Sequence, residues 1–130
     1  MLREITSVRQ DSTSITRRWF QDDYFDLFLW ADESRRVVRF QLCYDRQGRE
    51  RVLLWSEDGG FRHQGVDVGE GSPVRNDAPI FVNDLSFQAG AVKLQFRQRA
   101  ASLPQPLRLF LHDRLGDAER FFSALPQREA

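Results

Sequence analysis

Cysteine, lysine and long apolar runs are scarce or missing in this 130-residue chain, and each absence excludes a class of protein. Cys43 is the only cysteine, so no disulfide can form within the chain and nothing favours an oxidising compartment. No apolar run approaches the roughly 20 residues that a membrane-spanning helix needs, and the amino terminus lacks the apolar core of a signal peptide. We therefore expect a soluble, cytoplasmic protein with no membrane partner.

An excess of charge of either sign is missing too. The 19 basic and 19 acidic residues cancel, so no overall electrostatic attraction draws the chain to nucleic acid, which is disfavoured as a partner. Lys93 is the only lysine. Arginine binds carboxylates, phosphates and aromatic faces better than lysine does. An arginine-rich recognition surface would explain the bias, and so would the codon usage of a GC-rich genome.

Motifs that carry chemistry are absent as well. The chain has no Walker loop, no dinucleotide-binding glycine pattern, no nucleophile elbow and no HExxH sequence, so we predict no cofactor. His63, Asp67 and Glu70 form the only local cluster of metal-ligand types, and a structural zinc site needs four ligands, so we predict no metal. A triad of Cys43, His63 and Asp26 would need neighbouring strands to bring all three within hydrogen-bond reach.

Two patterns of hydrophobic spacing divide the chain into parts of one domain. Residues 1–68 alternate between apolar and polar with regular turn signals, as in antiparallel strands. Residues 69–79 are rich in Gly, Pro and Asp, which is typical of a loop. Residues 80–130 have mostly helical spacing. This order predicts an α+β fold: an antiparallel meander of four to six strands packed against a long helix, with one or two shorter C-terminal helices.

The candidate strands are short alternating or β-branched and aromatic segments between turns. They are Ile5–Arg9, Ile15–Phe20, Tyr24–Trp30, Val37–Tyr44, Glu50–Trp55, Phe61–Val68 and Ile80–Val82.

Helical spacing is clearest from Leu85 to Ala101, where apolar residues recur every three or four positions. Asp84 or Ser86 is the expected N-terminal cap. A second helix is expected to begin near Pro106 and to end at Gly116, with a short helical or frayed piece after it.

The hairpin turns assign side chains to the two faces of the sheet. Asp45-Arg46-Gln47-Gly48 has the residues of a type I turn followed by a left-handed glycine, which gives a three-residue loop and pairs Leu42 with Val52. A turn centred on Glu33-Ser34 pairs Leu27 with Phe40. The core face then collects Phe25, Leu27, Leu29, Val38, Phe40, Leu42, Val52 and Leu54.

The second face mixes aromatic rings, arginines and one carboxylate. Its members would be Tyr24, Asp26, Phe28, Trp30, Arg39, Gln41, Cys43, Arg51, Leu53 and Trp55, with Phe61 and His63 if the next turn places Phe61 opposite Trp55. Such a face needs an explanation, since it is neither plainly polar nor a second core. The C-terminal helix could cover it, a second copy of the chain could bury it in a homodimer, or it could bind a ligand or partner.

The function predicted from this face is that of a non-catalytic binding or protein-interaction module. The candidate binding residues are Phe28, Trp30, Arg39, Gln41, Trp55 and His63. The partner would be a protein, a small molecule or a second copy of the chain. The alternative is a small enzyme with acid–base groups from His63, Asp26 or Asp67.

Charge is also grouped along the chain. Acids dominate residues 22–33 and arginines dominate residues 35–51. We interpret these runs as opposite charges that pair across adjacent strands rather than as a nucleic-acid surface, which would need unpaired arginines.

Overall fold

Seven antiparallel strands form one sheet in the computed structural model of this chain, and each strand pairs with its neighbours in sequence. The structure describes residues 1–6, 8, 10, 14–67, 80–83 and 86–125. The strands are β1 (Arg3–Ile5), β2 (Thr16–Gln21), β3 (Phe25–Ala31), β4 (Val37–Tyr44), β5 (Arg51–Ser56), β6 (Gly60–Asp67) and β7 (Ile80–Asn83). The α+β prediction and the antiparallel meander are confirmed.

The predicted number of strands, four to six, was too low. Each of the seven candidate segments overlaps one of the seven strands, including the short edge strands β1 and β7, which have three and four residues. The first strand also begins earlier than the predicted Ile5–Arg9 segment. The loop predicted for residues 69–79 lies outside the described residues.

Two helices follow the sheet, α1 (Ala89–Arg99) and α2 (Gln105–Ala124). The predicted order of lengths was wrong, because the C-terminal helix is the longer one, with 20 residues against 11. The predicted caps were wrong as well: Gln88 is the N-cap of α1, and no side chain donates or accepts there. Asp84, one of the two predicted caps, lies outside the described residues.

Gly116 does not end α2, although a glycine inside a helix costs about 1 kcal/mol relative to alanine. The buried side chains Leu111, Leu115, Ala118 and Phe122 recur at steps of four, three and four, so one apolar stripe continues past the glycine. The free energy gained by burying that stripe outweighs the cost of the glycine, and the helix continues through Gly116.

The core lies between one face of the sheet and both helices. Its strand members are Phe20, Phe25, Leu27, Leu29, Phe40, Leu42, Tyr44 and Leu53, and its helical members include Val92, Phe96, Leu111, Leu115, Ala118 and Phe122. Rings join the layers: Phe25 meets Phe96 at 6.2 Å between centroids, and Trp55 meets Phe110 at 5.6 Å. We call this side of the sheet the core face.

The register of β3 with β4 differs from the predicted one by two residues. Leu27 pairs with Leu42 rather than with Phe40, and Leu29 pairs with Phe40. An even shift leaves every side chain on its predicted face, so Leu27, Phe40 and Leu42 are buried in the core as expected. A bulge near Trp30 and Ala31 brings in Val37 instead of Val38 to pack against the core.

The register of β4 with β5 differs from the predicted one by one residue. Every side chain of β5 therefore lies on the face opposite to the predicted one. Leu42 pairs with Leu53 and Phe40 with Trp55, whereas Val52 pairs with Cys43 on the other face. The predictions that Val52 and Leu54 belong to the core face, and Leu53 and Trp55 to the second face, were therefore wrong. Trp55 does pair with Phe61 as predicted, so Phe61 and His63 follow it to the core face.

No described helix is both long and apolar enough to cross a membrane.

Candidate functional site

The face of the sheet turned away from the helices carries the candidate site, and we call it the outer face. In-register pairs define it: Trp19 with Phe28, Phe28 with Gln41, and Trp30 with Arg39. Its central side chains are Trp19, Phe28, Trp30, Arg39, Gln41, Leu54, Ser56 and Arg62. Neither helix covers it, because both belong to the core on the other side. Of the three explanations for a semi-apolar second face, helical cover is therefore the one that the described residues do not support.

Three aromatic rings form a continuous row on the outer face. Trp19 stacks on Phe28 with 5.4 Å between centroids and 17° between planes, and Phe28 lies 6.5 Å from Trp30. All three side chains are only partly buried. The indole N–H of Trp19 donates to the carboxylate of Asp26, which also accepts from Gln21 at 3.4 Å. The polar atom of Trp19 is thus satisfied within the sheet, and the row offers apolar surface to a partner.

Arg39 lies over the end of this row. Its guanidinium carbon is 4.1 Å from the centre of the Trp30 ring, a cation–π contact, and the side chain is exposed. Trp55, which the sequence analysis expected on the same face as Arg39, lies on the core face instead. Within the described part of the chain, no carboxylate pairs with Arg39 or with Arg62. Both retain their hydrogen-bond donors for a ligand.

A pocket of about 240 Å³ lies between these two arginines. Arg39 is in register with Ser56, and Leu54 is in register with Arg62, so the arginines stand on adjacent rows with β5 between them. Gln41 completes the lining with a further polar side chain. Two planar guanidiniums around a shallow, partly polar pocket suit an anionic group such as a carboxylate.

The other end of the outer face is more buried. Val52 is fully buried and Cys43 is 8% exposed, yet neither belongs to the core under the helices. Burial raises the pKa of the Cys43 thiol to about 12, against a smaller opposite effect of its contact with Gln41. Burial also raises the pKa of Glu50, partly offset by Arg46. The thiol is therefore protonated at neutral pH and is not poised as a nucleophile.

Cys43 is accordingly expected to resist alkylation in the folded protein. Because both the thiolate fraction and access to it are small, iodoacetamide at pH 8 should modify the native chain at least about a hundredfold more slowly than the urea-unfolded chain. Mass spectrometry of timed samples measures both rates, with free cysteine as the reference. Equal rates in the folded and unfolded chain would contradict the burial of this thiol.

The structure brings together four of the six predicted binding residues. Phe28, Trp30, Arg39 and Gln41 share the outer face. Trp55 and His63 lie on the core face. Trp55 stacks on Phe40 at 5.6 Å. His63 is 2% exposed and shares a 2.6 Å hydrogen bond with the hydroxyl of Tyr44.

The strand registers exclude the catalytic triad of Cys43, His63 and Asp26. Cys43 and Asp26 are paired on the outer face, whereas His63 pairs with Leu53 on the core face, so the sheet separates them. The side chain of Asp67 and all of Glu70 lie outside the described residues. Among the residues that are described, no three His, Cys, Asp or Glu side chains cluster as metal ligands do.

Of the predicted pairing between the acidic and basic runs, the described residues show one contact, between Asp32 and Arg36 in the turn from β3 to β4, and none across the strands themselves. Asp22 and Asp23 bind Arg99 of α1 at 3.1 and 2.7 Å. Asp32 binds Arg36 within their own turn. Arg39, the arginine that faces β3 most directly, contacts Trp30 instead of an acid.

Trp19 and Arg62 lie on the outer face and were not predicted there, although the sequence contains a signal for each. Trp19 was placed on a strand but was not assigned a face, although its alternation with Arg18 and Phe20 indicates one. Arg62 was missed because the expected register turned its neighbours Phe61 and His63 outward. A charged residue between two rings was the available signal that the rings point to the core.

Comparison with known proteins adds no further constraint: no family model, curated protein or solved structure matches this chain. The geometry of the outer face is therefore the basis of the functional proposal.

Proposed function

We propose that the protein is a non-catalytic binding module whose outer face docks a partner protein. The observation that supports this is the position of Arg39, which has no acidic partner among the described residues and lies on Trp30 at the end of an uncovered aromatic row. Aromatic residues and arginine are the types most enriched among the residues that dominate binding energy at interfaces. Here they occur together on a rigid sheet.

The expected partner carries an apolar anchor and a carboxylate. The anchor packs on the row formed by Trp19, Phe28 and Trp30, which is already ordered by mutual stacking and therefore loses little entropy on binding. The carboxylate enters the pocket between Arg39 and Arg62. A second copy of the chain is the self-complementary version of the same proposal.

The experiment is site-specific photocrosslinking in the cells of origin, followed by affinity measurement. A benzophenone amino acid at Gln41 on the outer face should trap the partner, whereas the same group at Leu109, an exposed leucine of α2, should not. Crosslinking of the chain to itself would identify a homodimer. Trapping only at Leu109 would contradict the proposal.

With the purified partner, Trp30→Ala and Arg39→Ala are each expected to weaken binding at least about tenfold, the scale of interface residues that dominate affinity. Leu109→Ala, which removes an exposed apolar side chain on the helical side, should leave affinity unchanged. Isothermal titration calorimetry measures the affinity of the partner for the wild type and for the three variants. Wild-type affinity in both outer-face variants, with their fold intact by circular dichroism, would refute the proposed surface.

A further inference from the structure

A second and larger cavity lies on the opposite side of the sheet from the outer face. It opens between the amino end of α2 and the ends of β2, β3 and β4, and its volume is about 620 Å³. Its apolar lining consists of Leu29, Ala31, Val37, Pro104, Pro106, Leu107 and Phe110. Cavities of this size with mostly apolar walls are typical of small-molecule sites.

Three arginines line the same cavity, and two of them are already paired. Arg18 donates to Glu4 at 2.8 and 2.9 Å. Arg36 donates to Glu57 and lies 3.6 Å from Asp32. Arg35 is the third, and no described carboxylate binds it. Asp32 also lines the cavity, but its carboxylate is already bound by Arg36 and by two backbone N–H groups. Arg35 is thus the one lining arginine that no described carboxylate binds, and it stands beside apolar walls.

Arg35 is held in an unusual backbone conformation. Its φ of 67° lies in the left-handed region, which non-glycine residues adopt rarely. Asp32 fixes the turn: its carbonyl accepts from the N–H of Arg35 at 2.9 Å, and its carboxylate accepts from the N–H groups of Ser34 and Arg36, each at 2.9 Å. Conformations of this kind persist where the surroundings determine them and are concentrated at binding sites.

We propose that this cavity binds a small monocarboxylate with an apolar alkyl or aryl body. The body would pack among Leu29, Val37 and Leu107, and the carboxylate would accept hydrogen bonds from the guanidinium of Arg35. One free cation matches one negative charge, and the apolar walls disfavour polyanions, whose extra charges would be desolvated without partners. This site is independent of the proposed partner surface, because it lies on the other face of the sheet.

The test is a titration of the full chain, labelled with ¹³C at the methyl groups of leucine and valine, with octanoate. Saturable shifts are expected for the methyls of Leu29, Val37 and Leu107, whereas the methyls of Leu54 on the outer face should not move. 1-Octanol and octylammonium have the same alkyl body without the negative charge, and each is expected to bind at least tenfold more weakly than octanoate.

Arg35→Asn isolates the guanidinium, since asparagine tolerates the left-handed conformation. It should weaken octanoate binding at least tenfold and leave octanol binding unchanged. Arg39→Ala, which removes an arginine from the outer face, is the control and should change octanoate affinity less than threefold.

Three outcomes would overturn the proposal: no saturable shift of the cavity methyls, equal affinity for octanoate and octanol, or wild-type affinity in Arg35→Asn. None of them bears on photocrosslinking at Gln41, so failure here is distinguishable from failure of the proposed partner surface.

Discussion

Leu53→Ala is expected to destabilise the protein by about 2–5 kcal/mol, whereas Leu54→Ala should cost less than about 1 kcal/mol. The two residues are adjacent in β5 and are of the same type, so only their surroundings differ. Leu53 is fully buried in the core between Leu42 and His63, and its removal leaves a cavity under the helices. Leu54 is partly exposed on the outer face.

Urea unfolding followed by circular dichroism measures both changes, provided that the slope of free energy against urea is the same in all three proteins. The hairpin register expected from the sequence would bury Leu54 and expose Leu53, so it predicts the opposite order. A larger cost for Leu54→Ala than for Leu53→Ala would contradict the β4–β5 register and, with it, the position of Trp55 and His63 on the core face.

The error in the β4–β5 register shows which part of this fold could be predicted from the sequence. Alternation in β3 and β4 identified the core residues Leu27, Phe40 and Leu42 correctly, because an error of two residues in the turn leaves each side chain on its face. An error of one residue in the next turn reversed β5. The pattern of β5 could not correct it, since Val52, Leu53, Leu54 and Trp55 are all apolar.

The cause lies in the turn itself. Gly48 was expected to take the left-handed conformation, but Asp45 takes it, with φ 58°. The carboxylate of Asp45 also occupies the space beside Gly48, where a Cβ atom would come within 2.7 Å of it. Asp tolerates positive φ, so both arrangements are compatible with the residue types, and the loop contains six residues rather than three.

The candidate site was predictable to the same extent. Phe28, Trp30, Arg39 and Gln41 lie on β3 and β4, where the faces were assigned correctly, and they share the outer face. The placement of Trp55 and His63 depended on the β5 register, and both lie on the core face. The cavity beside Arg35 had no sequence signal, because its walls come from the β3–β4 hairpin and from the start of α2, which are brought together only by the fold.

Asp22 is expected to be the most important charged group for stability. Its carboxylate accepts from the backbone N–H groups of Tyr24 and Phe25 at 2.9 and 2.8 Å, and it binds Arg99 of α1 at 3.1 Å. Its side chain is only 5% exposed. Asp22→Ala would leave two backbone donors without their acceptor and would remove the more buried of the two carboxylates that bind Arg99, so we expect a loss of about 3 kcal/mol.

Asp23→Ala is the matched control. Asp23 is the same residue type at the next position and binds the same Arg99, at 2.7 Å, but its side chain is 70% exposed. Because solvent screens such a contact, its removal should cost less than about 1 kcal/mol. Similar losses of unfolding free energy in the two variants would show that the burial of Asp22 does not increase its contribution to stability.

The effect of Asp22 should also depend on pH. Burial acts to raise the pKa of this carboxyl, but the hydrogen bonds from Phe25, Tyr24 and Arg99 outweigh burial, and the pKa is lowered from its ordinary value of 3.8. The unfolded chain therefore takes up a proton at this position more readily than the folded chain does. The stabilisation by the ionised group is fully present above the ordinary pKa and is lost as the pH falls through the lower folded value.

Asp22→Asn separates charge from geometry, since the amide oxygen can still accept from the two backbone N–H groups. Its stability should approach that of the wild type as the pH is lowered below 3.8, and the gap between them should widen as the pH rises through that value and then stay constant to neutral pH. Urea unfolding at a series of pH values measures this gap. A gap that stays constant from pH 2 to pH 7 would contradict the lowered pKa of Asp22, because it would mean that neither Arg99 nor the backbone N–H groups favour the ionised carboxyl in the folded chain.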